Sequence, residues 1–503
     1  MEKLARRHGA QILFYGLAVL IVAVEVSSQS YWTDEAIRLY SIAFEGLKES
    51  VQYGLEDKQI LFVLVAWVWR HLFGAGEWAM RALNIPFALV MLWYLRKILA
   101  RAGRPTWYAL LLPLQPVFAY YMNEASPYVM LGAFGAAFFY YSIYAPEPDG
   151  LPNLIRLNGV FALGIATHFI FVFVYPVYLV GLWARWRKKR LEKAGLVRHG
   201  GVLLCFSPVY LALAFLVLQN LASGSERGWG MPDLKNLAAI VYLFLGLGGL
   251  CLSRNELRAM DWSALDSFSL ARAALLLGSM ALIALILWRK KRLLRIFRKY
   301  RLLLIGCGLY FVCFWGMAMV WKFQIWERHL FPLVIPLVLL EAEALRSLRL
   351  ERGGRALQVL AILLVFMQAF SCFDLRFVPR YGKDDYKGVA RLLQRAEEVE
   401  SFTLFTSGYH LAYRFYGIAP QDTSGIQPQA GDLCSTVING WSVEQLEQAL
   451  ADTEGPVVVV LNEKELPQET YLWDGPENCQ VVDVYNSFRI LWIGELGIPM
   501  PEI

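Results

Sequence analysis

ARAALLLGSMALIALILWRKKRLLRIFRKYRLLLIGCGLYFVCFWGMAMVW, residues 271–321, decides the fold class. Two apolar stretches, 271–288 and 302–321, each come close to the ~20 residues that cross a hydrocarbon core. Between them lies WRKKRLLRIFRKYR (288–301), a dense basic segment. A span, a cationic loop and a second span read as a membrane hairpin whose loop stays in the cytoplasm. The same pattern extends outward. Further apolar runs occupy 10–28, 81–99, 106–122, 127–144, 201–220, 329–346 and 355–373, and 154–185 reads as two short helices broken at His168. Basic clusters follow at Arg96/Lys97/Arg101/Arg104, 185–198 and 346–355, and Lys3, Arg6 and Arg7 precede the first run. Two more runs, 59–74 and 236–252, are settled by orientation: only if neither crosses fully does every basic cluster stay inside, so both read as interfacial or re-entrant. That predicts eleven spans, a cytoplasmic N-terminus and a C-terminus outside. The first run reads as a span and not as a cleavable signal, since no small-residue cleavage site follows it.

Composition agrees. The 503 residues are 57% apolar and 18% charged, against roughly 45–50% apolar for soluble domains, and mean hydropathy is +0.42. Disorder, coiled coil and a nucleic-acid-binding module are excluded as whole-chain readings. The net charge of +6 comes from the clusters between the spans. Seven cysteines form no CxxC and no zinc-like spacing with histidine. Cys205, Cys251, Cys307, Cys313 and Cys372 lie in or beside apolar runs and read as small core residues. Cys434 and Cys479 fall in the polar tail, where an oxidising compartment permits a disulfide between them.

From about residue 374 the apolar runs shrink to strand length. DDYKGVARLLQRAEEV reads as an amphipathic helix and TLFT as a strand; WSVEQLEQALADTE and VVVVLN repeat helix then strand; CQVVDVY and FRILWIG close the series. The expected architecture is a polytopic α-helical membrane protein with a small C-terminal α/β domain. Residues 1–373 form the membrane domain, with outer-face loops 29–80 and 221–270, and residues 374–503 the soluble domain on the outer side.

Three outer segments carry polar groups that a membrane anchor does not need. SYWTDEAIRLYSIAFEGL places Asp34 and Glu35 just beyond the first span. Locally Asp34 has two readings, catalysis or, with Thr33, a helix cap; Ile37, Leu39, Tyr40, Ile42, Ala43 and Leu47 give the following helix a membrane-facing stripe. YYMNEASPY (120–128) places Glu124 at a boundary where a carboxylate is costly unless solvated or used, although one before a helix N-terminus is favourable in itself. The break at Thr167-His168 and the loop KFQIWERHLFP (322–332) supply His168, Lys322, Arg328 and His329. Cations on the outer side suit a phosphate, with Arg giving bidentate contacts; snorkelling of Arg328 to headgroups is the structural alternative. Carboxylates and cations together suit a reaction with a general base and an anionic leaving group. Walker, dinucleotide and Ser-His-Asp signatures are absent.

These residues resemble the GT-C superfamily of integral-membrane glycosyltransferases, closest to the bacterial branch related to protein O-mannosyltransferases and the lipid A aminoarabinose transferase. WTDEA resembles the first-loop acidic motif. HLFGAGEWAMRALNIPFALVMLWYLRKIL resembles a juxtamembrane G-x-x-E-W-x-x-R helix and second span, YYMNEASPY the second acidic motif and THFIFVF a His-containing helix break. ERHLFPLVIPL is similar to a late Arg-aromatic-x-x-P motif, and DDYKGVARLL opens the soluble domain. The match covers most of residues 10–400. It implies inverting transfer of a sugar from a polyprenyl-phosphate carrier, with Asp34 as base and Glu124 at the second acidic position. Arg328, with Lys322 and His168, would stabilise the departing phosphate, and Glu35 and His329 complete the substrate-binding set. Many relatives carry Arg where Ser126 stands, and His329 replaces a common Tyr.

The expected partners are a polyprenyl-phosphate-linked sugar donor, membrane lipids and an acceptor of unstated class, with no nucleic acid; the expected place is the cytoplasmic membrane. No cofactor is expected. Asp34, Glu35 and Glu124 are hard oxygen ligands that suit a divalent metal, but cationic side chains are present for the leaving phosphate, so none is expected. The rival readings are a transporter or flippase of a lipid-linked precursor, or an envelope scaffold. Spans nearly free of ionisable residues and polar groups at the outer boundaries favour the enzyme.

Overall fold

A computed structural model of the chain describes residues 2–189, 191–222, 231–259, 264–349, 354–420, 432–463, 465–476, 479–485 and 488–493. The chain divides into two compact units, Met1–Ser27 with Glu45–Tyr381, and Ser28–Phe44 with Gly382–Ile503.

The first unit is helical and is that of a multi-pass membrane protein. Among the described residues, six helices are long and apolar enough to cross a membrane: Glu77–Arg101, Phe169–Arg187, Lys193–Leu216, Ser267–Arg289, Arg292–Trp321 and Arg355–Phe377. The expected count of eleven is not reached on these criteria. Proline explains part of the difference, because it removes a backbone donor and clashes with the preceding turn. Run 106–122 is a 3-10 turn, Thr106–Leu111, followed by the helix Pro116–Met122. Run 329–346 begins as a 3-10 segment, Glu327–Leu333, with Pro332 inside it. Stretch 154–185 breaks at His168, as its length requires, into Leu151–Thr167 and Tyr175–Arg187 with a 3-10 segment between. Runs 59–74 and 236–252 hold the helices Ile60–Phe73 and Leu234–Phe244. At about 1.5 Å per residue the longer of them rises about 21 Å, short of a ~30 Å core.

The spanning helices are apolar all round, as a lipid solvent demands. Ser267–Arg289 buries Leu276, Ser279, Ile283 and Leu287 and exposes Leu275, Leu282 and Leu285. Helices approach closely where side chains are small. A Cβ on Gly306 would stand 2.6 Å from the Val177 Cα, so Arg292–Trp321 and Tyr175–Arg187 meet backbone to backbone there. Gly306→Ala is expected to lower stability by about 1–3 kcal/mol through overpacking, read as a lower unfolding temperature in lipid nanodiscs.

Ionisable groups do lie within the helices, contrary to expectation. Glu341 and Glu343 are both buried in Val334–Arg349. Glu341 accepts from Gln115 Nε2 at 2.6 Å. Glu343 is gripped by Arg104 and receives Lys299 at 3.3 Å. Glu343 is thus paired with cations inside the protein, the condition for burying charge at all, whereas Glu341 has a neutral partner on one oxygen and, among the described residues, no hydrogen-bond partner on the other.

The second unit is an α/β fold with a six-stranded sheet: β1 (Thr403–Thr406), β2 (Ile418–Pro420), β3 (Leu433–Val437), β4 (Val457–Asn462), β5 (Cys479–Tyr485) and β6 (Phe488–Ile493) in the order β2-β3-β1-β4-β6-β5. The first four are parallel, Leu404 opposite Val458 and Ile418 opposite Leu433; β6 runs antiparallel to β4 and β5. VVVVLN is wholly buried because both faces of β4 are covered. Val458 and Val460 join a core with Leu393, Leu404 and Tyr413, while Val457, Val459 and Leu461 join another with Phe405 and Leu446. The anticipated helices appear as Tyr386–Glu397 and Val443–Ala451. The short β2 and β3 and the helix His410–Arg414 have too little periodicity to be read in advance. Cys434 and Cys479 are both free. They lie on β3 and β5 with three strands between, so at about 4.8 Å per strand they stand roughly 19 Å apart across the sheet, beyond any disulfide.

Candidate active site

The sequence-derived site residues divide between the units. In the second unit, the helix Thr33–Phe44 opens with two acids in its first turn, where the helix dipole favours negative charge. The Trp32 carbonyl accepts the first helical bond, from Ala36 N at 2.9 Å, so Thr33 and Asp34 lie inside the helix and neither caps it. The Thr33 hydroxyl bonds Tyr386 Oη instead, at 3.4 Å. Asp34 keeps 23% side-chain exposure; Arg38 Nη2 lies 4.0 Å from its Oδ2, and Arg38 Nη1 donates to its carbonyl at 2.9 Å.

Glu35, expected among the substrate-binding residues, is wholly buried and meets Lys383 Nζ at 3.4 Å. The two adjacent acids therefore have different fates, one accessible and one sealed in an ion pair. The stripe expected to face the membrane is partly internal: Leu39 and Ile42 are buried. Helix Thr33–Phe44 packs on His410–Arg414, with Phe44 5.0 Å from the Phe415 ring and Arg414 over its face at 5.3 Å.

In the first unit, Glu124 is fully buried in the turn after Pro116–Met122. Asn84 Nδ2 pins that turn, donating to the carbonyls of Glu124 at 2.7 Å, Tyr121 at 3.2 Å and Met122 at 3.3 Å. Tyr121 stands at the centre of a charged cluster, within the electrostatic reach of Glu327, Arg254, Glu124 and Arg328. Its hydroxyl donates to Glu327 Oε1 at 2.6 Å. The same oxygen lies 2.9 Å from Arg254 Nη2, and Arg254 Nη1 donates to Tyr120 Oη at 2.8 Å. Arg328 is half-buried with its guanidinium over the Tyr128 ring at 5.9 Å.

His168 and His329 stand with ring centroids 6.3 Å apart. Each accepts a backbone N–H at Nδ1, from Ile170 at 3.4 Å and Trp326 at 3.1 Å. In the neutral form that hydrogen bond puts the ring proton on Nε2, making both imidazoles donors on their other side. Each therefore caps a 3-10 segment. Lys322 is exposed at the C-cap of Arg292–Trp321 with φ of 56°. That is a structural position, a cation at the negative end of a helix.

Sequence reasoning passed over Arg254, Glu327 and Lys58. Glu327 stood inside a quoted motif, and Arg254 in a loop with no motif of its own. Lys58 is buried with φ of 59°, a left-handed conformation that L-residues seldom take. Its ammonium sits 5.6 Å from the Phe169 ring, beside His168. A lone lysine after a helix carries no local signal of burial. Arg81 of the G-x-x-E-W-x-x-R motif is fully buried and donates to the Ser27 carbonyl at 3.2 Å, which ties helix Glu77–Ala82 to the segment that follows helix Glu2–Glu25. Among the described residues, no group of three or more His, Cys, Asp or Glu side chains is arranged to hold a metal ion.

No family model and no curated protein matches the sequence. Among solved structures, ArnT from Cupriavidus metallidurans bound to undecaprenyl phosphate is similar with a TM-score of 0.51 at 13% identity, over 98% of this chain and 99% of that one. The apo form of the same protein gives a TM-score of 0.49 at 14% identity, over 98% and 100%. At this identity the likeness is one of fold. The GT-C resemblance carried by the sequence motifs is met by a fold similar to that of ArnT over nearly the whole chain.

Proposed function

We propose that the protein is an inverting glycosyltransferase that moves a sugar from a polyprenyl-phosphate carrier to an acceptor hydroxyl or amine at the outer face of the cytoplasmic membrane. The N-terminus is on the cytoplasmic side and the α/β unit outside. Asp34 takes the acceptor proton; the acceptor oxygen or nitrogen bonds to the anomeric carbon as the carbon–oxygen bond to phosphate breaks; the polyprenyl phosphate departs as an anion. Lys58, Arg254 and Arg328, with the Nε2 donors of His168 and His329, form the environment that receives it. Glu124 lies beside that cluster and orients the donor.

The observation that carries the proposal is the contrast between Asp34 and Glu35. A general base needs an accessible carboxylate held in place, and the structure leaves Asp34 accessible while sealing its neighbour with Lys383. The solved ArnT was bound to undecaprenyl phosphate, which supports a donor of that class.

The test uses full-length protein in lipid nanodiscs with a panel of radiolabelled polyprenyl-phosphate sugars, following release of the free lipid phosphate. Release by the wild type that disappears in Asp34→Asn supports the transferase. Equal release by both proteins overturns the assignment of the base, and movement of intact lipid-linked sugar across the bilayer without release identifies a flippase.

A further inference from the structure

Ser28–Phe44 lies far from residue 382 in sequence, yet the two segments fold as one unit. Several independent bonds join them. Tyr31 N donates to Tyr416 Oη at 2.6 Å, Lys387 N to Ser30 Oγ at 3.1 Å, and the Thr33 hydroxyl pairs with Tyr386 Oη. Tyr386 in turn accepts from Tyr409 N at 3.0 Å. Burial first, then the charge of Asp384, push the Tyr386 phenol up, so it stays protonated and can donate to Thr33.

Tyr409 belongs to the loop leaving β1. The helix after β1 packs on one face of the sheet and the helix after β3 on the other. The crevice between such diverging loops is where open α/β folds hold their ligands. Here Asn439 bridges it, accepting from Gly408 N at 2.9 Å and donating to the Gly408 carbonyl at 3.1 Å. The start of the acidic helix is attached at its rim.

Lys383 is 4% exposed and Glu35 0%, and the ammonium also lies 5.4 Å from the Trp32 ring. A buried carboxylate one residue from Asp34 would, without a counter-charge, oppose ionisation of Asp34 through like-charge repulsion. We propose that Lys383 is a positioning residue for Asp34: by neutralising and holding Glu35, it seats the first turn of the acidic helix on the α/β unit and keeps Asp34 in the charged form that accepts a proton. The proposal rests on the transferase reading, and it assigns the C-terminal unit a part in the reaction itself.

Glu35 and Arg38 lie on the same helix as Asp34. Lys383, Asp384 and Tyr386 lie before and at the start of helix Tyr386–Glu397. From the loop after β1 comes Tyr409, whose phenol is pushed up by burial, by Glu465 and by Asp34.

The experiment measures the pH midpoint of carbodiimide modification at Asp34, read by peptide mass spectrometry on the full-length protein in nanodiscs. It needs no donor and no acceptor. Lys383→Met is expected to raise the midpoint by about one pH unit, a tenfold change in proton affinity. Glu35→Gln is expected to lower it, since Lys383 then faces Asp34 without its partner. Lys383→Arg and the pair Glu35→Gln/Lys383→Met are expected to return it near the wild-type value. A midpoint unmoved by both Lys383→Met and Glu35→Gln overturns the proposal, and the opposite signs of the two singles separate it from general loosening. The transferase reading fails separately, if Asp34→Asn still releases lipid phosphate.

Discussion

On the proposed function, Asp34→Asn is expected to lower sugar transfer by about 10²–10⁴-fold, the usual contribution of a general base, while binding of the proposed polyprenyl phosphate is retained. The substitution changes almost nothing else. Asparagine has the same shape, and the packing of helix Thr33–Phe44 rests on Ala36, Leu39 and Ile42, which are buried and untouched. Arg38 keeps its 2.9 Å bond to the backbone carbonyl of residue 34. What is lost is the ability to take a proton. Lipid binding survives because the cations assigned to the phosphate, Lys58, Arg254 and Arg328, all belong to the first unit. Transfer assays paired with a lipid-binding titration separate the outcomes: loss of transfer with binding intact marks a base, and loss of both marks a structural role.

The second large effect is expected at Arg254. Its side chain is 8% exposed and that of Glu327 3%, with 2.9 Å between Nη2 and Oε1. Removing one member of a buried ion pair leaves the other charge uncompensated and costs about 3–5 kcal/mol. Arg254→Met is expected to destabilise the first unit by that amount, because Glu327 then keeps the Tyr121 hydroxyl at 2.6 Å but has lost the guanidinium. Replacing both, as Arg254→Met/Glu327→Leu, is expected to recover most of the stability, since two apolar groups of similar volume carry no desolvation penalty. Denaturation of the singles and the double in nanodiscs checks this. Additive losses instead of recovery would show that each residue contributes through contacts other than the pair. The recovered double variant is expected to lack activity, which would separate the structural from the chemical role of Arg254.

Hydropathy, basic clusters and period-two or 3.6-residue patterns are properties of short windows. By themselves they determined that the chain is a multi-pass membrane protein with a polar α/β tail, and that this tail contains β1, β4, β5, β6 and the helices Tyr386–Glu397 and Val443–Ala451: VVVVLN and TLFT could be assigned because their neighbours in sequence bracket them with helix signals. They also marked Asp34, Glu124 and Arg328 as groups that a membrane anchor does not require. Local pattern misplaced the helix Thr33–Phe44, since an amphipathic stripe reads the same whether it lies on lipid or against His410–Arg414.

The tertiary structure alone decided which charges are matched. Glu35 differs from Asp34 because it is buried and Lys383, far along the chain, is folded against it; Glu327 acquires its meaning from Arg254 and Tyr121; and Lys58 becomes a candidate through its burial beside Phe169. The physical reason is common to all three. The cost of a charge depends on its burial and on the counter-charge brought to it, and both are set by contacts between segments far apart in sequence.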